Sequence, residues 1–384
     1  MNSILRFPKL SYTGWGSIEK LLTELESINP KKILLVTDRT LVNIGIVDKF
    51  LNPVLEKYEV LVFTDVEPEP SLTCGQRLVD YTRGNTFDCV IGMGGGSTLD
   101  LAKMTAVISQ NEGSVEDFLN LNGTKELTQE GLPKILIPTT SGTGSEVTDI
   151  AVFSLEGTKD VITHDFLLAD VAIVDPQLTM TVPKRVTAAT GVDALTHAVE
   201  AFVSVNASHA TDALALKAVE LIGKSLKEAV EQGDSIEART AMSHGSYLAG
   251  LAFFNAGVAG VHALAYPLGS QFKLPHGESN AVLLPYVMYH IAASCYQKIN
   301  MVCDVLTGVT REERTTEEIL DIFYQMIVDV GLPTNLKEYG IPESAIGGLT
   351  EDALKQKRLL ARSPKPLEKG NILEIYKHAY HGIS

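Results

Sequence analysis

"FDCVIGMGGGSTLDLAK", residues 87–103, decides the fold class. A continuous apolar run of strand length ends in glycines and passes at once into a helical pattern. That is the signature of a strand–turn–helix unit in a parallel sheet. Gly95 and Gly96 let the backbone approach a ligand closely, and Ser97 is expected to cap the helix that carries Asp100. A helix N-terminus with free N–H groups receives anions, a pyrophosphate included. A plain tight turn would use the same glycines.

Outward from this unit the pattern repeats. "KKILLVTD" (31–38), "YEVLVFTD" (58–65), "LPKILIPTT" (132–140) and "VAIVDP" (171–176) each read as a buried strand. Helical stretches at 41–57 and 71–84 separate them. The alternation predicts a doubly wound parallel α/β sheet, Rossmann-like, with helices on both faces. Near Pro183 the strand signals fade. "ATDALALKAVELIGKSLKEAVE" (210–231) and "TTEEILDIFYQMIVDVG" (315–331) carry apolar residues at helical spacing. Two domains are expected: α/β over 1–183 and all-helical over 184–384. Residues 120–131 read as a surface loop.

Composition narrows the function classes. The 384 residues carry 45% hydrophobic and 21% charged residues, a globular balance, with a net charge of −15. An acidic surface repels phosphate backbones and argues against nucleic acid as a partner. The four cysteines, Cys74, Cys89, Cys295 and Cys303, form no CxxC pair, which fits a reducing compartment. The start, "MNSILRFPKLSYTG", lacks a signal-peptide core. The apolar region 245–270 is broken by Asn255, His262 and glycines, too polar for a membrane span. A cytoplasmic protein with no membrane partner is the expectation.

A second small-residue loop, "PTTSGTGSEVT" (138–148), follows a predicted strand and offers Thr139, Thr140, Thr143 and Ser145 as compact donors. Two such loops at carboxyl ends of parallel strands point to one crevice. Asp38 ends the first long strand. It is a turn former, or else an acceptor for the ribose hydroxyls of an adenosine; in the second role it favours NAD over NADP.

"GVDALTHAVE" (191–200) places Asp193 and His197 one helical turn apart on one face. Among the nine histidines, His262 in "AGVHALAYPLG" and His276 in "KLPHGESNAVLLP" stand in similar apolar helical settings. Singly, each reads as a packed core histidine. Together Asp193, His197, His262 and His276 make one carboxylate and three imidazoles, a divalent-metal set with room for a further ligand. The remaining six, His164, His209, His244, His290, His378 and His381, lack such settings.

With these motifs in order, from "SYTGWGSIEKL" through "GGGSTLDLAK", "PTTSGTGSEVT", "GVDALTHAVEAFVS" and "VHALAYPLG" to "LPHGESNAVLLP", the chain resembles the iron-containing (group III) alcohol dehydrogenases nearly end to end. The resemblance implies the dehydroquinate synthase-like architecture, a dinucleotide-binding α/β domain and a helical domain, with a metal in the cleft between them. It implies Asp193, His197, His262 and His276 as metal ligands, and Gly95, Gly96 and Ser97 as pyrophosphate contacts. Asp100, Thr139, Thr140, Thr143, Val152 and Lys159 would serve the cofactor, and Asp38 the adenosine ribose. Two positions depart from the common pattern. Glu69 stands where relatives carry Asn in a Pro-Asn-Pro triplet. Tyr266, one turn after His262, stands where many carry histidine, so His262 and Tyr266 are the candidate catalytic residues beside the metal. The "HALAYPLG" form resembles the branch containing 4-hydroxybutyrate dehydrogenases.

The implied chemistry is hydride transfer between NAD(H) and a small primary alcohol or aldehyde. The metal is Fe²⁺, with Zn²⁺ the competitor because it binds such ligands more tightly. A zinc glycerol dehydrogenase-like enzyme, a 4-hydroxybutyrate dehydrogenase and a silent nucleotide or metal sensor are the other readings. A homodimer or higher homo-oligomer is expected.

Overall fold

The computed structural model describes residues 4–155 and 158–382. The chain divides into two compact units. One is a sheet unit, Phe7–Thr140 with Gly144–Thr181. The other is a helical unit over the described residues from Val182 onward, which also takes in Ser141–Thr143 and residues 4–6. Ser141–Thr143 lie inside the threonine-rich loop yet cluster with the helices, a division that sequence periodicity gives no sign of.

In the sheet unit β1 (Leu10–Thr13), β2 (Lys32–Val36), β3 (Glu59–Phe63), β4 (Cys89–Gly94), β5 (Lys134–Pro138) and β8 (Val171–Val174) form a parallel sheet in the order β1-β8-β5-β4-β2-β3. Two strands, β6 (Ile150–Leu155) and β7 (Thr158–Thr163), pair antiparallel beside it. Side chains alternate along each strand, so both faces are apolar. Leu34, Val36, Val90 and Leu136 join Leu78, Leu99 and Ala102 on one face. Ile33, Leu35, Ile91 and Ile135 join Leu21 and Leu51 on the other. The chain runs from β2 out to β3 and returns to β4 on the far side of β2. The ends of β2 and β4 therefore flank the topological switch point, where open α/β sheets bind ligands.

The helices of this unit are α1 (Lys20–Ile28), α2 (Arg39–Asn43), α3 (Ile46–Lys57), α4 (Leu72–Gly84) and α5 (Gly96–Ile108). The expected single helix over 41–57 is broken at Gly45, whose φ of 75° lies in the left-handed region. Strands β1, β6 and β7 have no counterpart in the sequence reading. β1 is short and half exposed, and β7 (TKDVIT) is too polar for the buried-strand pattern, although its partner β6 (IAVFSL) is apolar.

The helical unit is built on α6 (Lys184–Val203), α7 (His209–Glu231), α8 (Ile236–Ala256), α9 (Gly260–Phe272) and α10 (His276–Ile291). α6 is buried on nearly every side, packed by α7, α8 and α10. Ser208 and Thr211 form a capping box at the start of α7, as Thr315 and Glu318 do for the helix Thr316–Asp329. Gly277 lets α10 begin hard against α6, since a side-chain carbon there would stand 2.3 Å from the Ala189 carbonyl oxygen. Among the described residues no single helix is long and apolar enough to cross a membrane. α8 and α9 pass only as a pair, bent by 104°.

Candidate active site

Asp193 and His197 lie one turn apart on α6, His262 is the third residue of α9, and His276 is the first of α10. The apolar run of α6 and the close approach allowed by Gly277 bring them together. One carboxylate oxygen and one ring nitrogen from each histidine all lie within 4.8 Å of one another. Asp193 Oδ1 is 3.9 Å from His197 Nε2 and 3.7 Å from Nε2 of both His262 and His276. Ligands at about 2.1 Å from a shared ion stand about 3 Å apart at right angles and about 4 Å apart when opposed. The three separations from Asp193 Oδ1 fall in that interval.

The electrostatics of the cluster call for a cation. His197 Nδ1 is 3.3 Å from the Gly142 carbonyl, and His262 Nδ1 is 2.6 Å from Glu200 Oε2. Both contacts draw the ring N–H outward and leave the Nε2 lone pair facing the centre. The Asn280 side-chain amide is the donor set against these acceptors. Its nitrogen is 2.7 Å from Asp193 Oδ1, 3.2 Å from His262 Nε2 and 3.3 Å from His276 Nε2. One amide nitrogen thus faces three acceptors, which gathers lone pairs in a buried space. Burial pushes the His197 imidazole down to about 4, keeping it neutral and ready to ligate near neutral pH. Burial acts to raise the Asp193 carboxyl, but the three imidazoles and the Asn280 amide outweigh it and hold it below the usual range. One carboxylate oxygen and three imidazole nitrogens fit a divalent transition metal.

Two rings stand against the set. Phe253 stacks on His197 with 4.3 Å between ring centroids. Tyr266, one turn beyond His262 on α9, is half-buried with its ring centroid 6.0 Å from that of His276.

In the sheet unit, Gly95 precedes α5 and Gly96 is its first residue. Gly95 occupies the cap position, so Ser97 does not cap the helix as expected. It sits in the first turn, where its hydroxyl accepts the Glu69 N–H at 3.1 Å. A side-chain carbon at Gly95 would stand 3.7 Å from Thr140 Oγ1, and the Thr139 N–H donates to the Gly94 carbonyl at 3.0 Å. The two loops therefore meet through Gly94, Gly95, Thr139 and Thr140, while Thr143 belongs to the helical unit. Asp38 follows β2 and caps α2, accepting the Leu41 N–H at 3.0 Å.

Asp100 takes three internal donors: the Ser145 hydroxyl at 2.5 Å, the Val152 N–H at 2.9 Å and the Lys103 ammonium at 3.1 Å. The fully buried Lys103 also donates to the Ser145 carbonyl and the Thr148 hydroxyl. This network ties α5 to the threonine-rich loop and to β6. Lys159 on β7 is nearly buried and lies 3.0 Å from Glu69 Oε1.

Sequence reasoning missed Glu200, Asn280, Lys103 and the Glu69–Lys159 pair. The i,i+3 step from His197 to Glu200 and the i,i+4 step from His276 to Asn280 were the available signals.

Residues 8–176 match the iron-containing alcohol dehydrogenase family, and residues 187–380 match its C-terminal region, the Fe-containing alcohol dehydrogenase family C-terminal domain. The chain belongs to the iron-containing alcohol dehydrogenases. It is 57% identical to long-chain-alcohol dehydrogenase 1 of Geobacillus thermodenitrificans, over 98% of this chain and 96% of that one. The crystal structure of a 1,3-propanediol oxidoreductase superposes with a TM-score of 0.94 at 33% identity, covering 99% of this chain and all (100%) of the other. The sulfoacetaldehyde reductase of Bifidobacterium kashiwanohense, solved with NAD⁺, gives 0.89 at 29% identity, with 99% of each chain covered. The protein is thus an iron-type, NAD-linked alcohol oxidoreductase with the dehydroquinate synthase-like fold.

Proposed function

We propose that the protein interconverts primary aliphatic alcohols and aldehydes, with Asp193, His197, His262 and His276 holding the metal. The four ligand atoms of this set, all within 4.8 Å of one another, carry this reading. A divalent ion held by these four residues would supply Lewis-acid polarisation of the alcohol or aldehyde oxygen, and a bound nicotinamide would supply the hydride acceptor or donor. The chain's own part is to orient. Asp193 supplies the single anionic ligand. The Gly142 carbonyl and Glu200 fix the tautomers of His197 and His262. Phe253 and Tyr266 present apolar ring surface to the alkyl chain.

On the cofactor side, the free N–H groups opening α5 at Gly96 and Ser97 receive the pyrophosphate, with Thr139, Thr140 and Thr143 as hydroxyl donors. Asp38 accepts the adenosine ribose hydroxyls and sets NAD over NADP. Val152 and Lys159 line the same side, and Asp100 supports the loops through its three internal donors. The α/β part, 1–183, then binds the dinucleotide, and the helical part, 184–384, binds metal and substrate. The 57% relative, named for long-chain alcohols, favours a plain alcohol over a hydroxy acid.

Two further features belong to this reading. A homodimer is supported by β1, an edge strand with Leu10 and Phe7 exposed beside it. A cytoplasmic location is supported by four free thiols, which suit a reducing compartment.

Protein reconstituted with Fe²⁺ or Zn²⁺ is assayed by NADH absorbance against alcohols from methanol to long chains, 1,3-propanediol, glycerol and 4-hydroxybutyrate. Turnover of simple primary alcohols with Fe²⁺ is expected. Turnover confined to glycerol or 4-hydroxybutyrate, or none with either metal, overturns the reading.

A further inference from the structure

Glu200 lies on α6, seven residues after Asp193 and three after His197, and is 1% exposed. Its carboxylate takes three N–H donors. Oε1 accepts from the Val261 backbone at 2.6 Å. Oε2 accepts from the Ala259 backbone at 3.0 Å and faces His262 Nδ1 at 2.6 Å. Ala259 and Val261 flank the start of α9, where backbone N–H groups lack partners within the helix. One side chain of α6 thus closes the N-terminus of α9 and accepts a hydrogen bond from His262 Nδ1–H.

We infer that Glu200 is a positioning residue for the metal: it fixes the tautomer of His262 and the placement of α9 against α6, so that the His262 Nε2 lone pair meets the ion. The inference rests on the ligand set proposed above. A carboxylate is the group this position requires, because both of its oxygens only accept. A glutamine would offer one acceptor and one NH₂ group. That NH₂ would face either a backbone N–H or His262 Nδ1. In the second case the imidazole is driven to the other tautomer, with its proton on Nε2 and no lone pair for a metal.

The test compares wild type, Glu200→Gln, Glu200→Asp and His276→Ala. Metal-free proteins are titrated with Co²⁺ in competition with a chromophoric chelator. The visible Co²⁺ bands and the metal-free Tm are recorded alongside. Glu200→Gln is expected to weaken Co²⁺ binding about 10- to 100-fold, the usual effect of removing an outer-shell partner of a ligating histidine, and to alter the bands. Glu200→Asp keeps two accepting oxygens on a shorter stem and should fall between Glu200→Gln and wild type; it also carries the test if Glu200→Gln does not fold. His276→Ala should lose the metal.

Suppose Glu200→Gln, or Glu200→Asp in its place, binds Co²⁺ within about twofold of wild type, below the usual outer-shell effect, while only its metal-free Tm falls. Glu200 is then a helix cap and the inference fails. If that happens while His276→Ala loses the metal, the ligand set stands and only the role of Glu200 is overturned. If His276→Ala binds Co²⁺ like wild type, the ligand set fails and the role of Glu200 with it.

Discussion

Glu69 and Lys159 are joined by an ion pair, 3.0 Å between Oε1 and Nζ, while the Glu69 backbone N–H donates to the Ser97 hydroxyl at the opening of α5. Glu69 has a φ of 50°, a left-handed conformation in which Asn is far more common than Glu. The family's Asn thus suits the backbone, and here Glu is held there with its charge against a nearly buried lysine. Removing the carboxylate takes one anionic partner from that lysine. An anionic cofactor would then meet a lysine with one carboxylate fewer beside it. Glu69→Gln is therefore expected to have a lower Tm without cofactor, a larger NAD-induced rise in Tm, and a lower KM for NAD. Thermal melts with and without NAD, with steady-state kinetics, check this. An unchanged NAD response places the pair outside the cofactor site.

Asp38 stands at the end of β2, beside the switch point between β2 and β4, and its cap to Leu41 uses only Oδ1. A carboxylate there repels a 2′-phosphate. Wild type should show a higher kcat/KM with NAD than with NADP, and Asp38→Gly should narrow or reverse the ratio. Higher kcat/KM with NADP in the wild type would rule out a ribose contact for Asp38.

His197 makes the metal-free protein acid-sensitive. Its folded pKa of about 4 lies below the unfolded value of 6.5. Below pH 6.5 the unfolded chain takes up a proton that the native state refuses until about pH 4. The contribution is whole above 6.5 and is lost as pH falls toward 4, by at most about 1.4 kcal/mol per pH unit. Urea unfolding of the metal-free protein across this window should show that slope, and His197→Asn should flatten it. Equal slopes in both proteins would show that burial does not hold the imidazole neutral.

What the sequence made legible is what repeats locally. Buried parallel strands are continuous apolar runs, so β2, β4 and β5 stand out. The i,i+4 step of Asp193 and His197 shows on α6 before any fold is known. His262 and His276 could be chosen only by type and setting, because their meeting depends on α9 and α10 closing on α6. Glu200 and Asn280 stayed hidden for the same reason. Their partners, at residues 259–262 and at Asp193, are remote in the chain. Ser97 was misread as a cap because capping propensity cannot tell that Gly95 already holds that position and that Glu69 will claim the hydroxyl.

Tyr266 is the departure nearest the proposed chemistry. It follows His262 by one turn, so both side chains project from one face of α9. Its ring lies beside that of His276. A phenol donates a hydrogen bond readily but, with an ordinary pKa of about 10, accepts a proton poorly near neutral pH. A histidine in this place would do both, since it titrates near pH 6.5. Tyr266 is therefore expected to orient the substrate oxygen or shape the alkyl pocket, and not to serve as general base. Tyr266→Phe separates orientation from shape, because it keeps the ring and deletes only the hydroxyl. If the hydroxyl orients substrate, kcat/KM should fall by about one to two orders of magnitude, the scale of one lost hydrogen bond to a charged partner. Tyr266→His should add to the pH–rate profile a limb near the ordinary histidine pKa that the wild type lacks. Unchanged kcat/KM in Tyr266→Phe across several alcohols would leave the side chain a wall of the pocket.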